Sequence, residues 1–175
     1  MKSMAYDRTV EALRFSFGDT RLGLALVALS GRGVAAILLG DARLRLRREL
    51  AGAFPDARLI EDEAELAGVV AKVAALVDAP HLGLDLPLDL RGSELELAVW
   101  AALRAIPSGE TRSYGALAKA LPMTAAAQEV GAACAANVLA VAVPCHRVVK
   151  TDGSISGYRW GVQRKRRLIN MEGVA

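Results

Sequence analysis

The sequence has few of the residues that usually mark a metal site or a disulfide framework. Its 175 residues include only two cysteines, Cys134 and Cys145, and two histidines, His81 and His146. No Cys-x-x-Cys pair and no closely spaced histidine pair occurs, so neither a metal nor any other cofactor is expected. Aromatic residues make up only 5% of the chain. No apolar run approaches the ~20 residues that a membrane-spanning helix needs, so no membrane partner is expected.

The chain also lacks an obvious export signal. Residues 1–8 are polar and have no apolar signal-peptide core, which, with only two cysteines, favours a reducing cytoplasm. A disulfide between the two cysteines is an open alternative. The net charge of +3 is unevenly spread: residues 1–90 carry 11 Lys and Arg against 13 Asp and Glu, and residues 91–175 carry 11 against 6. A basic second half suits a polyanion, although such an excess is common on small domains.

Residues 1–90 are predicted to form an amino-terminal α/β domain. After a disordered tail over residues 1–10, alternating apolar residues predict three antiparallel strands, at about 13–17, 22–26 and 34–39. Two helices are predicted next, over 41–53 and 61–78, the second with an apolar stripe. The alternation over 82–90 contains Pro87, which indicates an edge strand or an extended linker, and we place the domain boundary near residue 90.

Residues 91–175 are predicted to be mostly helical. Ser93 and Glu96 form a capping box that opens a helix ending near Ala105. Two short helices follow, over about 114–121 and 124–136, and the three-residue turn between them indicates a helix-turn-helix, with an ordinary helical hairpin as the alternative. A last helix is predicted over 162–171, with Gly173 as its C-cap.

The second helix of this pair is rich in alanine and poor in side chains that read bases. Only Gln128 and Asn137 could reach a base edge, so this face suits the minor groove and backbone contact, with little sequence readout. The residues predicted to contact DNA are Thr124, Ala126, Ala127, Gln128, Ala135 and Asn137.

Cys145 stands at a position where the chain could hold one reactive side chain. The apolar run from Val138 to Val143 predicts a buried strand that stops at Pro144, directly before the cysteine. The cysteine could be a nucleophile, a metal ligand, half of a disulfide or part of the core. A neighbouring base and cation, His146 and Arg147, favour the reactive thiolate. On extended backbone, adjacent side chains point to opposite faces, so a relay water is expected between Cys145 and His146.

The segment Pro144-Cys145-His146-Arg147-Val148-Val149 resembles the signature of the O6-alkylguanine-DNA alkyltransferases, which reverse DNA alkylation directly. Ser156-Gly157-Tyr158-Arg159-Trp160-Gly161, with Gly153 and Lys165, is similar to the bacterial branch, in particular the carboxy-terminal half of Ada-type proteins. The close similarity covers residues 84–173. It implies an α/β (α+β) fold: an amino-terminal antiparallel-sheet domain that is ribonuclease-H-like, over 1–90, and a winged helix-turn-helix-like domain, over 91–175.

The resemblance also implies a reaction. A damaged guanine in double-stranded DNA is flipped into a pocket, and Cys145 takes its methyl group irreversibly, so that each molecule, expected to be a monomer, acts once. O4-methylthymine as a second substrate is left open. By resemblance, His146 is the water-linked base, Glu172 orients it, Tyr114 protonates the leaving guanine and Asn137 stabilises a turn. The implied pocket has Tyr158 as a wall and the main chain around Val148 and Arg159 as contacts to the base edge. Trp160 and Cys134 are also assigned to it.

The sequence departs from the family pattern at two positions, Gln128 and Trp160, and each departure predicts a difference in activity. Gln128 stands where the family usually has an arginine that replaces the flipped base, so weaker flipping is expected, and Glu129 beside it adds a negative charge. Trp160 stands where some relatives have glycine, so methyl should be transferred better than benzyl. The alternative function is a lesion-binding protein without transfer, which the Gln128 substitution keeps open and Cys145 argues against.

Overall fold

A computed structural model describes residues 10–173 of the chain. The predicted tail over residues 1–10 therefore lies outside the described residues, apart from Val10. The described part folds into a four-stranded sheet followed by a largely helical second half. The predicted α/β (α+β) class is confirmed.

The sheet is built from the predicted antiparallel meander and one strand that was not predicted. β1 (Ala12–Thr20), β2 (Gly23–Leu29) and β3 (Val34–Gly40) pair in antiparallel fashion, as the alternating apolar residues indicate. β4 (Arg58–Glu61) lies parallel to β1 and completes the order β3-β2-β1-β4. With only four residues and no buried side chain, β4 has no periodic signal of its own.

Two helices pack on this sheet. α1 (Arg43–Ala53) contacts β2 and β3, and α2 (Glu63–Asp78) contacts β1 and β2. α2 begins where the Asp62 carboxylate accepts a hydrogen bond from the Glu65 backbone N–H, and Leu66, Val73, Leu76 and Val77 form its buried stripe. Both helices were predicted to within two residues at each end.

The edge of β3 joins the two halves of the chain. Val34 N–H donates to Pro87 O at 2.9 Å, which places the predicted edge segment beside β3. Gly33 has a φ of +149°, and a Cβ there would collide with the Pro87 carbonyl oxygen, so only glycine suits this close approach. Further along β3, Ile37 N–H donates to Val138 O at 2.9 Å. Two segments, at Pro87 and at Val138, are thus hydrogen-bonded to the same strand, β3.

The second half contains four helices and a short two-stranded sheet. α3 (Glu94–Arg104) begins with the predicted capping box, in which both hydrogen bonds between Ser93 and Glu96 are made. The remaining elements are α4 (Tyr114–Ala120), α5 (Ala127–Ala135), α6 (Val162–Met171) and the parallel strands β5 (Arg112–Ser113) and β6 (Val148–Val149). Gly173, with a φ of +75°, follows α6 as predicted.

α5 starts three residues later than predicted. Ala126 has extended backbone, with φ −87° and ψ 156°, and its N–H donates to the Glu129 carboxylate at 3.0 Å. The alanine run therefore begins as extended chain, and Glu129 lies at the helix N-terminus, where the dipole favours its charge.

Buried apolar side chains from both halves join one continuous core, with β2 and β3 contributing on one side and α3 and the segment before Cys145 on the other. The division near residue 90 stays a prediction. Within residues 10–173, no helix is long and apolar enough to cross a membrane, and no cluster of three potential metal-binding side chains occurs.

Candidate active site

Cys145 does not follow a strand, contrary to prediction. Residues Val138–Val143 make one bridge, between Leu139 and Ile37, and then turn through Val141, whose φ is +67°. Cys145 starts a short 3₁₀-helix, Cys145–Arg147, so the extended backbone expected around it is absent. The apolar run predicted burial correctly, since all these residues are wholly or largely buried. Burial alone does not specify backbone conformation, and here the buried segment forms a turn and not a strand.

Asn137 holds this turn against the cysteine. Its side-chain amide donates to Val143 O at 3.0 Å and lies 3.4 Å from Cys145 Sγ, while its Oδ1 accepts from Leu139 N–H at 2.8 Å. With only 1% of its surface exposed, Asn137 cannot touch DNA in this structure. Its assignment to the DNA-contacting set is therefore wrong, and the turn-stabilising contact is the one the structure contains.

Cys145 lines a cavity of about 360 Å³. The other lining residues are Tyr114, Gly131, Cys134, Ala135, Gly157, Tyr158 and Arg159. A larger cavity, of about 440 Å³, lies between the two halves and reaches Asn137, but no cysteine lines it. The smaller cavity is the candidate site because it combines a nucleophile with two phenol side chains.

The pocket assignments are only partly matched by this cavity. Tyr158, Arg159 and Cys134 line it, whereas Val148, which is buried in β6 beside β5, is not among its lining residues. Trp160 is also buried and packs edge-on against Tyr158, with ring centroids 5.3 Å apart. Neither side chain lines the cavity, and the Trp160 ring borders it only through Tyr158. The main-chain contact expected at Val148 and the expected preference for methyl over benzyl stay predictions.

His146 and Glu172 form the predicted pair, and Arg147 joins it. Glu172 Oε1 lies 2.6 Å from His146 Nε2, and the Arg147 guanidinium donates to the same carboxylate at 2.9–3.1 Å. Arg147 also donates to Ile106 O at 2.7 Å. Arg147 was expected to favour the thiolate, but it neutralises Glu172 instead.

The protonation of this cluster follows from its burial. Burial by itself would raise the pKa of Glu172, but hydrogen bonds from His146 and Arg147 outweigh it and lower the pKa to about 2. Burial lowers the pKa of His146 despite the nearby carboxylate. A neutral imidazole beside an ionised carboxylate carries its proton on Nε2. Its Nδ1, which bonds to no described protein atom, is then left as a base.

The thiol itself is not activated in the resting protein. Burial raises the pKa of Cys145, and the hydrogen bond from Asn137 only partly offsets this. Burial likewise raises the pKa of Cys134 to about 12. The expected resting thiolate is therefore corrected: Cys145 is a thiol at neutral pH and must lose its proton during reaction.

Tyr114 belongs to a hydrogen-bonded group that sequence reasoning did not foresee. Its hydroxyl contacts Ser156 Oγ, and Lys165 Nζ donates to the same oxygen at 2.8 Å. Lys165 lies on the buried face of α6 with Leu168 and Ile169. A lysine on the apolar stripe of an amphipathic helix was the signal that could have revealed it. Of the four basic residues 164–167 of α6, only Arg166 and Arg167 are exposed, since Lys165 is buried and Arg164 donates to Leu22 O and Asp41.

The remaining predicted DNA contacts lie at the surface around α5. Thr124, Ala126, Ala127 and Gln128 are exposed at its N-terminal end, and Ala135 is exposed at its C-terminal end. Arg159 donates to Ala135 O and pairs with Glu49 of α1, both at 3.0 Å, and so connects α5, the cavity and the first half.

Comparison with known proteins identifies the family. Residues 94–174 match the profile described as "6-O-methylguanine DNA methyltransferase, DNA binding domain". The bifunctional transcriptional activator and DNA repair enzyme Ada of Escherichia coli is 47% identical over 161 residues, which cover 92% of this chain and 46% of Ada, so the chain spans about half of that relative.

Two further relatives match along nearly their whole length. The methylated-DNA–protein-cysteine methyltransferase of Candida albicans is 33% identical, with 93% of this chain and 97% of that protein covered. A crystal structure of Mycobacterium tuberculosis OGT in complex with DNA superposes with a TM-score of 0.74 at 33% identity, covering 92% of each chain. The chain therefore belongs to the methylated-DNA–protein-cysteine methyltransferase family.

Proposed function

We propose that this protein repairs DNA by direct reversal, transferring the methyl group of O6-methylguanine to Cys145 in a single turnover. The observation that carries the proposal is that Cys145 lines a cavity together with Tyr114 and Tyr158. The relatives named as methylated-DNA–protein-cysteine methyltransferases support it. O4-methylthymine remains open as a second substrate.

The chemistry follows from the protonation states. The thiol proton of Cys145 passes, through one water, to Nδ1 of His146, and Glu172 stabilises the imidazolium that forms. The sulfur then attacks the methyl carbon as the bond from carbon to O6 breaks, and the electron pair stays on guanine. Tyr114 donates a proton to the leaving base. The product thioether has no good leaving group, so the protein is consumed, and the steps use only groups of this chain, its substrate and one water.

DNA binding is assigned to the exposed N-terminal end of α5. A guanine O6 substituent is out of reach while the base is stacked, so the base must be flipped into the cavity. Small side chains at Ala126 and Ala127 allow close approach to the minor groove with little sequence readout. Gln128 is exposed beside them and would stand in for the flipped base. The proposed partner is therefore double-stranded DNA. The protein is proposed to bind it as a monomer.

The alternative is a protein that binds alkylated bases without transferring the alkyl group. Only Gln128 favours it, because a weak flipping residue leaves binding as the remaining function. The cysteine facing the cavity and the named relatives favour transfer. The proposed location is the cytoplasm, where two unpaired thiols, such as Cys134 and Cys145, remain reduced.

Intact-mass measurement tests the proposal. After incubation with a duplex containing one O6-methylguanine, the protein should gain one methyl group, mapped to Cys145, with one methyl transferred per molecule. Undamaged duplex and a Cys145→Ala variant are the controls and should give no gain. An unchanged mass together with tight binding of the damaged duplex would establish the lesion-binding alternative.

A further inference from the structure

Lys165 is a buried cation that the reaction described above does not use. Its side chain is 1% exposed, in the middle of α6. None of the ion pairs formed by residues 10–173 includes it. Burying an ammonium without a carboxylate is costly, and such groups are concentrated at functional sites.

The hydrogen bonds of Lys165 lead to the cavity. Nζ donates to Ser156 Oγ at 2.8 Å and to Gly157 O at 3.3 Å, and Ser156 Oγ contacts the hydroxyl of Tyr114, which lines the cavity beside Cys145. An ammonium can only donate, so Ser156 accepts from Lys165 and can direct its own hydrogen at Tyr114. The hydrogen of Tyr114 is then directed away from Ser156, toward the cavity.

Tyr114 is a weak acid on its own. Burial raises its pKa, which makes an isolated phenolate in this site unfavourable. A tyrosine that gives a proton to a leaving base therefore needs a proton in return. Burial lowers the pKa of Lys165, which makes its proton easier to give up.

We propose that Lys165 is a positioning residue that, through Ser156, orients the Tyr114 hydroxyl and returns the proton that Tyr114 gives to the departing guanine. The inference rests on the proposed methyl transfer. As the bond from the methyl carbon to O6 breaks, guanine takes the proton of Tyr114, Tyr114 takes that of Ser156, and Ser156 takes one from Lys165. Lys165 ends neutral and His146 ends protonated, and exchange with solvent restores both.

A second methyl donor separates this role from activation of the thiol. Methyl iodide methylates a thiol while releasing iodide, which needs no proton. Variants of the relay should therefore lose transfer from O6-methylguanine and keep methylation by methyl iodide. If Lys165 instead acts by stabilising the Cys145 thiolate, both reactions slow together, and that result overturns the proposal.

The test uses Lys165→Met, Ser156→Ala and Ser156→Thr in the full chain, with Arg166→Met as the control that removes a neighbouring exposed charge. Single-turnover methylation of Cys145 is followed by peptide mass. Lys165→Met and Ser156→Ala should each slow transfer from methylated duplex by roughly 10²-fold, the size of a typical general-acid contribution. Methylation by methyl iodide should stay within about threefold of wild type in Ser156→Ala, as should both reactions of Arg166→Met. In Lys165→Met it should slow far less than transfer from DNA, and not stay constant, because the Lys165 charge also lowers the pKa of Cys145. Ser156→Thr, which keeps the hydroxyl, should recover most of the rate.

Combining the substitutions tests the connection itself. In a relay, adding Lys165→Met to Ser156→Ala should hardly slow methyl transfer further, because Ser156→Ala has already interrupted the proton path. If the two residues act independently, the two rate reductions should multiply. If Lys165→Met does not fold, the Ser156 pair decides alone: equal rates for alanine and threonine overturn the relay. A wild-type protein that gains no methyl from damaged DNA refutes the proposed function, whereas normal transfer by all variants refutes only the relay.

Discussion

The reactivity of Cys145 depends on an amide, an imidazole and a guanidinium group from neighbouring residues. Burial holds the sulfur as a thiol, and Asn137 is the described side chain that donates toward it. The base, His146, is kept neutral by burial, and its carboxylate partner is balanced by Arg147. In the proposed mechanism, the Cys145 proton must therefore be removed by His146 before the sulfur attacks the methyl donor.

Substitution of Asn137 should suppress the thiolate. Asn137→Asp keeps the acceptor for Leu139 N–H but loses the donor near Cys145 and adds a negative charge. We expect the pH midpoint of methylation by methyl iodide to rise by about one unit, which means roughly tenfold slower reaction at neutral pH. Asn137→Ala, which adds no charge, should shift the midpoint less, while costing about 1–3 kcal/mol of stability for the lost buried bonds. An identical midpoint in all three proteins would contradict this role of Asn137.

At the scale of elements, the helices that have clear signals were predicted well. α2, α3 and α6 combine an apolar stripe with an identifiable start, namely Asp62, Ser93 and Gly161. Short or irregular pieces were not: β4 was missed, and the strand expected over Val138–Val143 is a turn. The apolar periodicity of a helix repeats over several turns and can be recognised in the sequence. The conformation of a four-residue strand or a buried turn depends on partners elsewhere in the chain.

The N-terminal end of α5 is the element on which base flipping is predicted to depend. Gln128 is exposed there, next to Glu129, which caps the helix. Gln128→Arg should raise the rate on methylated duplex by roughly tenfold, because a longer cationic side chain can better offset a flipping cost of a few kcal/mol.

The same substitution should have little effect on a methylated single strand, in which no base pair must open. Gln128→Leu, similar in size but without polar atoms, is the matched control and should slow only the duplex reaction. Equal acceleration of duplex and single strand by Gln128→Arg would show that the residue acts on general DNA affinity.

At the scale of the whole molecule, the first half positions the segments that carry the site. β3 is hydrogen-bonded to the chain before α3, at Pro87, and after α5, at Val138. Arg159 reaches Glu49, and Arg164 reaches Leu22 O and Asp41, so the loop beside the cavity is held from the first half as well. The amino-terminal sheet therefore acts as the frame of the active site.

Stability should fall in two steps on acidification. The folded pKa of His146 lies below its usual 6.5, so its contribution is present above 6.5 and is lost as the pH falls below that value. The pKa of Glu172 is about 2 against a usual 4.5, so its contribution is lost between those values. Urea unfolding at pH values of about 7, 5 and 3 measures both steps.

Variants assign the first step to its residue. His146→Gln, which stays neutral and can still donate to Glu172, should lose the decline that begins below pH 6.5. His81→Gln changes an exposed histidine outside the cluster and should keep it. A decline of unchanged size in His146→Gln would show that other groups cause it.

The sequence by itself determined the family, the fold class, the long helices and the cysteine proposed as nucleophile, because periodic apolar stripes, caps and the Pro144–Val149 motif are local. The tertiary structure decided the turn that presents Cys145, the pairing of Arg147 with Glu172, the packing of Trp160 against Tyr158 and the link from Lys165 to Tyr114. These features join residues far apart in the chain, and the charge state of each group depends on how deeply the assembled core buries it.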